Sequence, residues 1–173
     1  MKQKFAIFDR DGTLIKHVDY LKNPDEVELS PNVEKVLNLL TNNGFKLGIY
    51  SNQSGVGRKL MTIQEVENVN SRMLELLKNI RFEFLFYCSH SPEQNCYCRK
   101  PKSEWAETLF SDHNVDTNKS YFFGDSVSDM QFALNTGLFG IHLSTHNCSN
   151  SKVRDFADFK EVLNWMEREP TFA

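Results

Sequence analysis

The sequence predicts an α/β protein: a doubly wound, Rossmann-like parallel sheet with helices on both faces, no large cap domain, and one small cysteine-rich loop. Three observations carry that expectation. Apolar runs of strand length alternate along the chain with stretches whose apolar residues recur at helical spacing, the pattern of βαβ units. The runs are nearly continuous rather than alternating in polarity, as in strands buried on both faces. A chain of 173 residues suits one compact domain, taken here as 1–173.

Residues 4–8 (Lys-Phe-Ala-Ile-Phe) form the first expected strand and run into a polar turn from Asp9 to Thr13. Residues 14–30 read as irregular, with Pro24 and Pro31 as punctuation. Ser30 is placed to cap a helix over residues 32–42, with Pro31 at its first position and Val33, Val36, Leu37 and Leu40 as its apolar stripe. Asn43-Gly44 ends it, residues 45–50 form a second buried strand, and Ser51 to Gly55 turn the chain. Thr62 and Glu65 make a capping box for a helix reaching Ile80. Residues 84–87 are a third strand, and the cysteine-rich segment hangs from its end. A helix over 103–112, a strand over 121–123 ending in Gly124-Asp125, a helix over 127–135 stopped by Gly137, and a strand over 139–143 follow. Residues 147–152 read as loop and 156–167 as a terminal helix.

Composition removes several classes of function. Twenty Lys and Arg against 23 Asp and Glu give a formal charge of −3, without the basic footprint of a duplex or anionic-membrane binder. No apolar run approaches the roughly 20 residues of a membrane span, and the N-terminal run is too short for a signal peptide. A cytoplasmic protein without nucleic-acid or membrane partners is expected.

In doubly wound sheets ligands bind beyond the carboxyl ends of the strands, where the topology switches. Asp9, Asp11, Ser51, the cysteine-rich segment and Asp125 all follow expected strands, which argues for one site. Asp9 and Asp11 stand at i and i+2, so an extended backbone points both carboxylates to one side, one able to attack while the other handles a proton. Isolated, such a pair is usually an acidic turn; directly after a hydrophobic strand it reads as chemistry. The stretch Gly124 to Asp129 supplies further carboxylates, a helix start by itself and, beside Asp9, a site for a hard cation such as Mg²⁺. Ser51-Asn52 offers a hydroxyl and backbone N–H groups, although alone it is a simple turn. Arg99-Lys100-Pro101 supplies cations, either a solvated surface pair or part of the site. Cys88, His90, Cys96 and Cys98 make a Cys₃His set suited to a closed, tetrahedral, structural Zn²⁺. The spacing Cys-x-Cys excludes a redox Cys-x-x-Cys motif. Among the remaining histidines only His17 lies close enough to the first motif for a substrate contact.

On these residues the chain resembles haloacid dehalogenase-superfamily phosphatases, whose four motifs occur in order as Asp9-x-Asp11-Gly12-Thr13, Ser51-Asn52, Lys100 and Gly124-Asp125. More narrowly it is similar to the subgroup holding D-glycero-D-manno-heptose 1,7-bisphosphate and histidinol-phosphate phosphatases, through Asp9-Arg10-Asp11-Gly12-Thr13, Asn52-Gln53-Ser54-Gly55 and Cys98-Arg99-Lys100-Pro101-Lys102. The resemblance spans residues 4–143.

It implies a nucleophile at Asp9, an acid and base at Asp11, and phosphoryl-stabilising groups at Ser51 and Lys100. Catalytic Mg²⁺ would sit on Asp9, the Asp11 backbone carbonyl and Asp125. Arg10, His17, Asp19, Tyr20, Asn52, Gln53, Ser54 and Arg99 would contact a small phosphorylated substrate in a monomeric enzyme. Heptose 1,7-bisphosphate, losing its 7-phosphate, is the first expected substrate and histidinol phosphate the alternative. The chain departs from the subgroup at Ser126, where a basic residue is usual, at Ser89, where Pro is usual, and at Ser103-Glu104, where Pro-Gly is frequent. Ser126 also motivates a reading of another class, a catalytically silent zinc-stabilised binding module. With no large cap, the active site could physically admit a polynucleotide end, which the acidic balance opposes.

Overall fold

The computed structural model describes residues 1–146, 148 and 150–169. Six parallel strands form one sheet: β1 (Phe5–Phe8), β2 (Lys46–Asn52), β3 (Phe82–Cys88), β4 (Tyr121–Gly124), β5 (Phe139–Leu143) and β6 (Val153–Phe156). Their order is β3-β2-β1-β4-β5-β6. The chain therefore winds outward from β1 on one side and returns to start again beside β1 at β4, which puts the switch point between those two strands.

Helices cover both faces. Along β1, Phe5 and Ile7 point to one face and Ala6 and Phe8 to the other, as strand geometry requires. The Ala6/Phe8 face packs against α1 (Val33–Asn42), α3 (Ile63–Leu76) and α6 (Phe159–Met166), through residues such as Leu37, Val69 and Val162. The Phe5/Ile7 face packs against α4 (Glu104–Asp112) and α5 (Val127–Thr136), through Ala106, Phe110, Phe132 and Ala133. The single-turn α2 (Ser54–Gly57) lies just past β2.

Most elements form where the sequence puts them, and the exceptions have local causes. The Thr62–Glu65 capping box opens α3 as expected, but the helix ends at Leu76 rather than Ile80. Asn32, in the left-handed region at φ 64°, occupies the N-cap of α1, and Ser30 instead accepts from the Val33 amide at 3.2 Å in the preceding turn. Of the turn expected over Ser51 to Gly55, Ser51 and Asn52 belong to β2 and Ser54 and Gly55 open α2. Strand β6 was not expected at all: its sequence Val-Arg-Asp-Phe lacks apolar continuity because it is an edge strand, paired only with β5. Of the loop expected over 147–152, residues 147 and 149 lie outside the described residues, as do 170–173 of the expected 1–173 domain.

Candidate active site

The loops after β1, β2, β3 and β4 converge on an open pocket of about 340 Å³. Sheet pairing continues one residue past β1, where the Asp9 amide donates to the Phe123 carbonyl at 2.8 Å. That bond holds Asp9 between β1 and β4. The chain then turns sharply, with the Ile15 amide donating to the Arg10 carbonyl at 3.0 Å. Gly12 is required twice over in this turn: its φ is +76°, and a Cβ there would lie 2.0 Å from Asp125 Oδ2.

Asp125 follows β4 directly, and Ser126 caps α5 with a capping box closed by Asp129. The Ser126 hydroxyl donates to Asp129 Oδ2 at 2.6 Å, and its amide donates to the same oxygen at 3.1 Å. Carboxylate oxygens of Asp9, Asp125 and Asp129 lie within 4.8 Å of one another. Lys100, with a side chain only 2% exposed, reaches into this group and pairs with Asp9 Oδ1 at 2.9 Å and Asp129 Oδ1 at 2.6 Å.

One ammonium facing three carboxylates, Asp125 half-buried and the others buried or nearly so, leaves excess negative charge. Burial pushes the Asp9 carboxyl up to about 7, with Asp129 and Asp11 adding to the rise against the opposing pull of Lys100. Burial, and then the neighbouring Asp129 charge, also raise Asp125. Burial acts to lower Lys100, but Asp129 and Asp9 prevail and hold it above its ordinary value. Such a donor set fits a hard divalent cation.

Asn52, at the end of β2, fixes the backbone that carries Lys100. Its Oδ1 accepts from the Lys100 amide at 3.0 Å and its Nδ2 donates to the Lys100 carbonyl at 3.2 Å. Buried Ser51 accepts from Gln53 Nε2 at 2.9 Å. The Asp11 carboxylate is not in the carboxylate group; it receives Arg10 Nη2 at 2.9 and 3.0 Å and Gln53 Nε2 at 2.7 Å. Arg10 lines the pocket, and its guanidinium is spent on Asp11, Gln53 and Asn70. His17, Asp19, Tyr20, Ser54 and Arg99 also line it, with His17 Nε2 and Asp19 Oδ1 paired 3.1 Å apart. Arg99 Nη1 is buried with no hydrogen-bond partner among the described residues.

At the end of β3, beside Asn52 of β2, the four side chains Cys88, His90, Cys96 and Cys98 close around a common centre. The Cys88–Cys96 and Cys96–Cys98 sulfurs are 3.5 and 3.6 Å apart, and His90 Nδ1 lies 3.6 Å from Cys88 Sγ and 3.4 Å from Cys98 Sγ. A tetrahedron with Zn–S bonds of about 2.3 Å has edges of roughly 3.8 Å, so the set fits a closed four-coordinate ion with little adjustment. Burial raises the thiols of Cys88 and Cys98, a cost that a bound cation would remove. The loop is docked on α2, where a Cβ on Gly57 would lie 2.3 Å from the Ser91 amide nitrogen.

Asp129 enters the sequence expectation only within the stretch Gly124 to Asp129, and Asn70 does not enter it. Asp129 carried a signal, the Ser126-x-x-Asp129 capping spacing. Asn70 carried a weaker one, an amide within the apolar stripe Val66, Val69, Met73 of α3.

Residues 4–161 match the family described as polynucleotide kinase 3 phosphatase. A D-glycero-beta-D-manno-heptose-1,7-bisphosphate 7-phosphatase of Helicobacter pylori is 29% identical over 170 residues, 95% of this chain and 97% of that one. The histidine biosynthesis bifunctional protein HisB of Blochmanniella floridana is 36% identical over 146 residues, 82% of this chain; the chain spans about two fifths (41%) of that protein's length. Among solved structures, D,D-heptose 1,7-bisphosphate phosphatase from B. bronchiseptica, complexed with magnesium and phosphate, is 25% identical with a TM-score of 0.84, covering 95% of this chain and 98% of that one.

Proposed function

Since the chain belongs to the polynucleotide kinase 3 phosphatase family, and with it to the haloacid dehalogenase-like phosphatases, we propose that it is a Mg²⁺-dependent phosphomonoesterase acting on a small sugar phosphate through a phosphorylated Asp9. The observation that carries this reading is the meeting of Asp9, Asp125, Asp129 and Lys100 at the switch point of the sheet.

Asp9 attacks phosphorus; the Asp9 Oδ–P bond forms as the bond to the leaving alcohol oxygen breaks. Asp11 gives its proton to that oxygen, then takes one from the water that cleaves the Asp9–phosphoryl bond and releases phosphate. Lys100 holds Asp9 in line and faces the transferring oxygens, with Ser51 as a second donor; both act by position and charge. Asp9, Asp125 and the Asp11 carbonyl would hold a Mg²⁺ ion, which when bound would neutralise part of the approaching phosphate charge, and Asp129 lies within reach of the same group of oxygens. Cys88, His90, Cys96 and Cys98 would hold a structural Zn²⁺, which would keep the loop carrying Arg99 and Lys100 in place.

For the substrate we take D-glycero-D-manno-heptose 1,7-bisphosphate, with loss of the 7-phosphate. The end-to-end similarity to the H. pylori protein supports it, and the unpartnered, buried Arg99 Nη1 suits a second anionic group. His17, Asp19, Tyr20, Asn52, Gln53 and Ser54 would line the sugar side of the pocket. Histidinol phosphate is the second reading, favoured by the 36% identity to HisB. Side-by-side kcat/KM values on one preparation separate the two: the heptose bisphosphate is expected to exceed histidinol phosphate by at least about tenfold, roughly 1.4 kcal/mol of transition-state binding. The reverse order assigns the chain to histidinol phosphate, and no Mg²⁺-stimulated phosphate release from either favours a silent module.

A further inference from the structure

The buried stripe of α3 consists of Val66, Val69, Asn70 and Met73. Three are apolar; the fourth is an amide only 6% exposed, which is costly to bury unless it is hydrogen-bonded. Asn70 Oδ1 accepts from Arg10 Nη1 at 2.9 Å. The opposite edge of the same guanidinium grips Asp11, with Nε 3.2 Å from both carboxylate oxygens and Nη2 at 3.0 and 2.9 Å. Gln53 braces the pair, accepting from Arg10 Nη2 at 2.8 Å and donating to Asp11 Oδ2 at 2.7 Å. Because the guanidinium is a rigid planar fork, fixing its far nitrogen fixes the plane in which its near edge meets Asp11.

We propose that Asn70 is a positioning residue for Asp11, acting through Arg10, so that a helix touching no reacting atom sets the orientation of the proton-transferring carboxyl. The inference rests on the reading above, in which Asp9 is the nucleophile and Asp11 the proton donor. It has a consequence that a merely structural role for Asn70 lacks. The kcat/KM value reports steps up to formation of the Asp9–phosphoryl bond, when the leaving oxygen must be protonated if it departs from an alkyl carbon. A p-nitrophenolate leaves as a stable anion and needs no proton. Misplacing Asp11 therefore slows alkyl esters selectively, whereas a loosened core slows both classes alike.

The test is the ratio of kcat/KM for the better of heptose 1,7-bisphosphate and histidinol phosphate to kcat/KM for p-nitrophenyl phosphate. Taken within one preparation, the ratio is independent of the folded fraction. Asn70→Leu, close in shape and matched to its apolar neighbours, is expected to lower it about tenfold, part of the 10²–10⁴ that positioned acid catalysis supplies. Asn70→Asp, which keeps an acceptor oxygen for Arg10 Nη1, is expected to hold the ratio within about twofold of wild type. Equal losses on both esters in Asn70→Leu, or an unchanged ratio, overturn the inference while leaving the phosphatase reading intact. A wild-type enzyme that hydrolyses neither ester class overturns both.

Discussion

The sulfur-rich cluster takes all four ligand atoms from one segment, residues 88–98, whereas the oxygen cluster unites Asp9 with Asp125 and Asp129 from the far side of the switch point. The first needs little more than a strand end and a docked loop; the second exists only when β1 and β4 pair. Their chemistry differs in the same sense. Four soft donors with edges of 3.4–3.6 Å leave a tetrahedral ion no vacant position, which suits holding a loop. Three carboxylates against one lysine stay short of positive charge, burial together with the Asp129 and Asp11 charges raises Asp9 to about 7, and the group opens onto the pocket. On the proposed reading, locality serves stability and topology serves catalysis.

The sharpest way to break that division is Asp9→Asn, which keeps the shape and removes the attacking oxygen charge. Turnover is expected to fall by at least about 10⁴-fold, with zinc content by metal analysis and melting temperature essentially unchanged. Stability should not suffer, because the substitution removes a charge that burial, and then the neighbouring Asp129 and Asp11, disfavour. Loss of zinc in that variant would mean the clusters are not independent.

The reciprocal change is Cys96→Ser. Zinc is expected to be lost, with about 3 kcal/mol of stability, or roughly 6–12 °C in melting temperature for a chain of this size. Turnover is expected to drop about 10- to 100-fold, because Lys100 follows the cluster by two residues and reaches Asp9 through backbone held at Asn52. Retained zinc stoichiometry would remove Cys96 from the ligand set; full activity without zinc would remove the loop from the task of placing Lys100.

The same contrast explains what was legible in the sequence. The sulfur cluster was, because its residues are neighbours in the chain and of types rarely grouped by chance. Asp9 and Asp125 were, because each directly follows an apolar strand. Asp129 is less distinct, since its Ser126-x-x-Asp129 spacing reads equally as a helix cap, and only the fold brings Lys100 to its other oxygen at 2.6 Å. Arg10 lines the pocket, and its guanidinium also meets Asn70, sixty positions away, a contact that no local pattern encodes. Strand β6 escaped for a related reason, as its pairing with β5 and not its own hydrophobicity makes it a strand.

The smallest effect comes from Ser126. In this chain its hydroxyl accepts from the Asp129 amide at 3.2 Å and donates to Asp129 Oδ2 at 2.6 Å. Ser126→Ala removes both contacts, but the backbone amide of residue 126 still reaches Oδ2 and Lys100 still holds Oδ1. The loss is therefore that of an N-cap, about 1 kcal/mol or roughly 2–4 °C, with turnover lowered no more than a few-fold and zinc untouched. Thermal unfolding and phosphate-release assays on the same preparation check this. A fall in kcat beyond about 100-fold, the scale of losing an oxyanion donor, would instead give the Ser126 hydroxyl a direct contact with the transferring phosphoryl group. The oxygen cluster would then rely on a capping residue for chemistry as well as for shape.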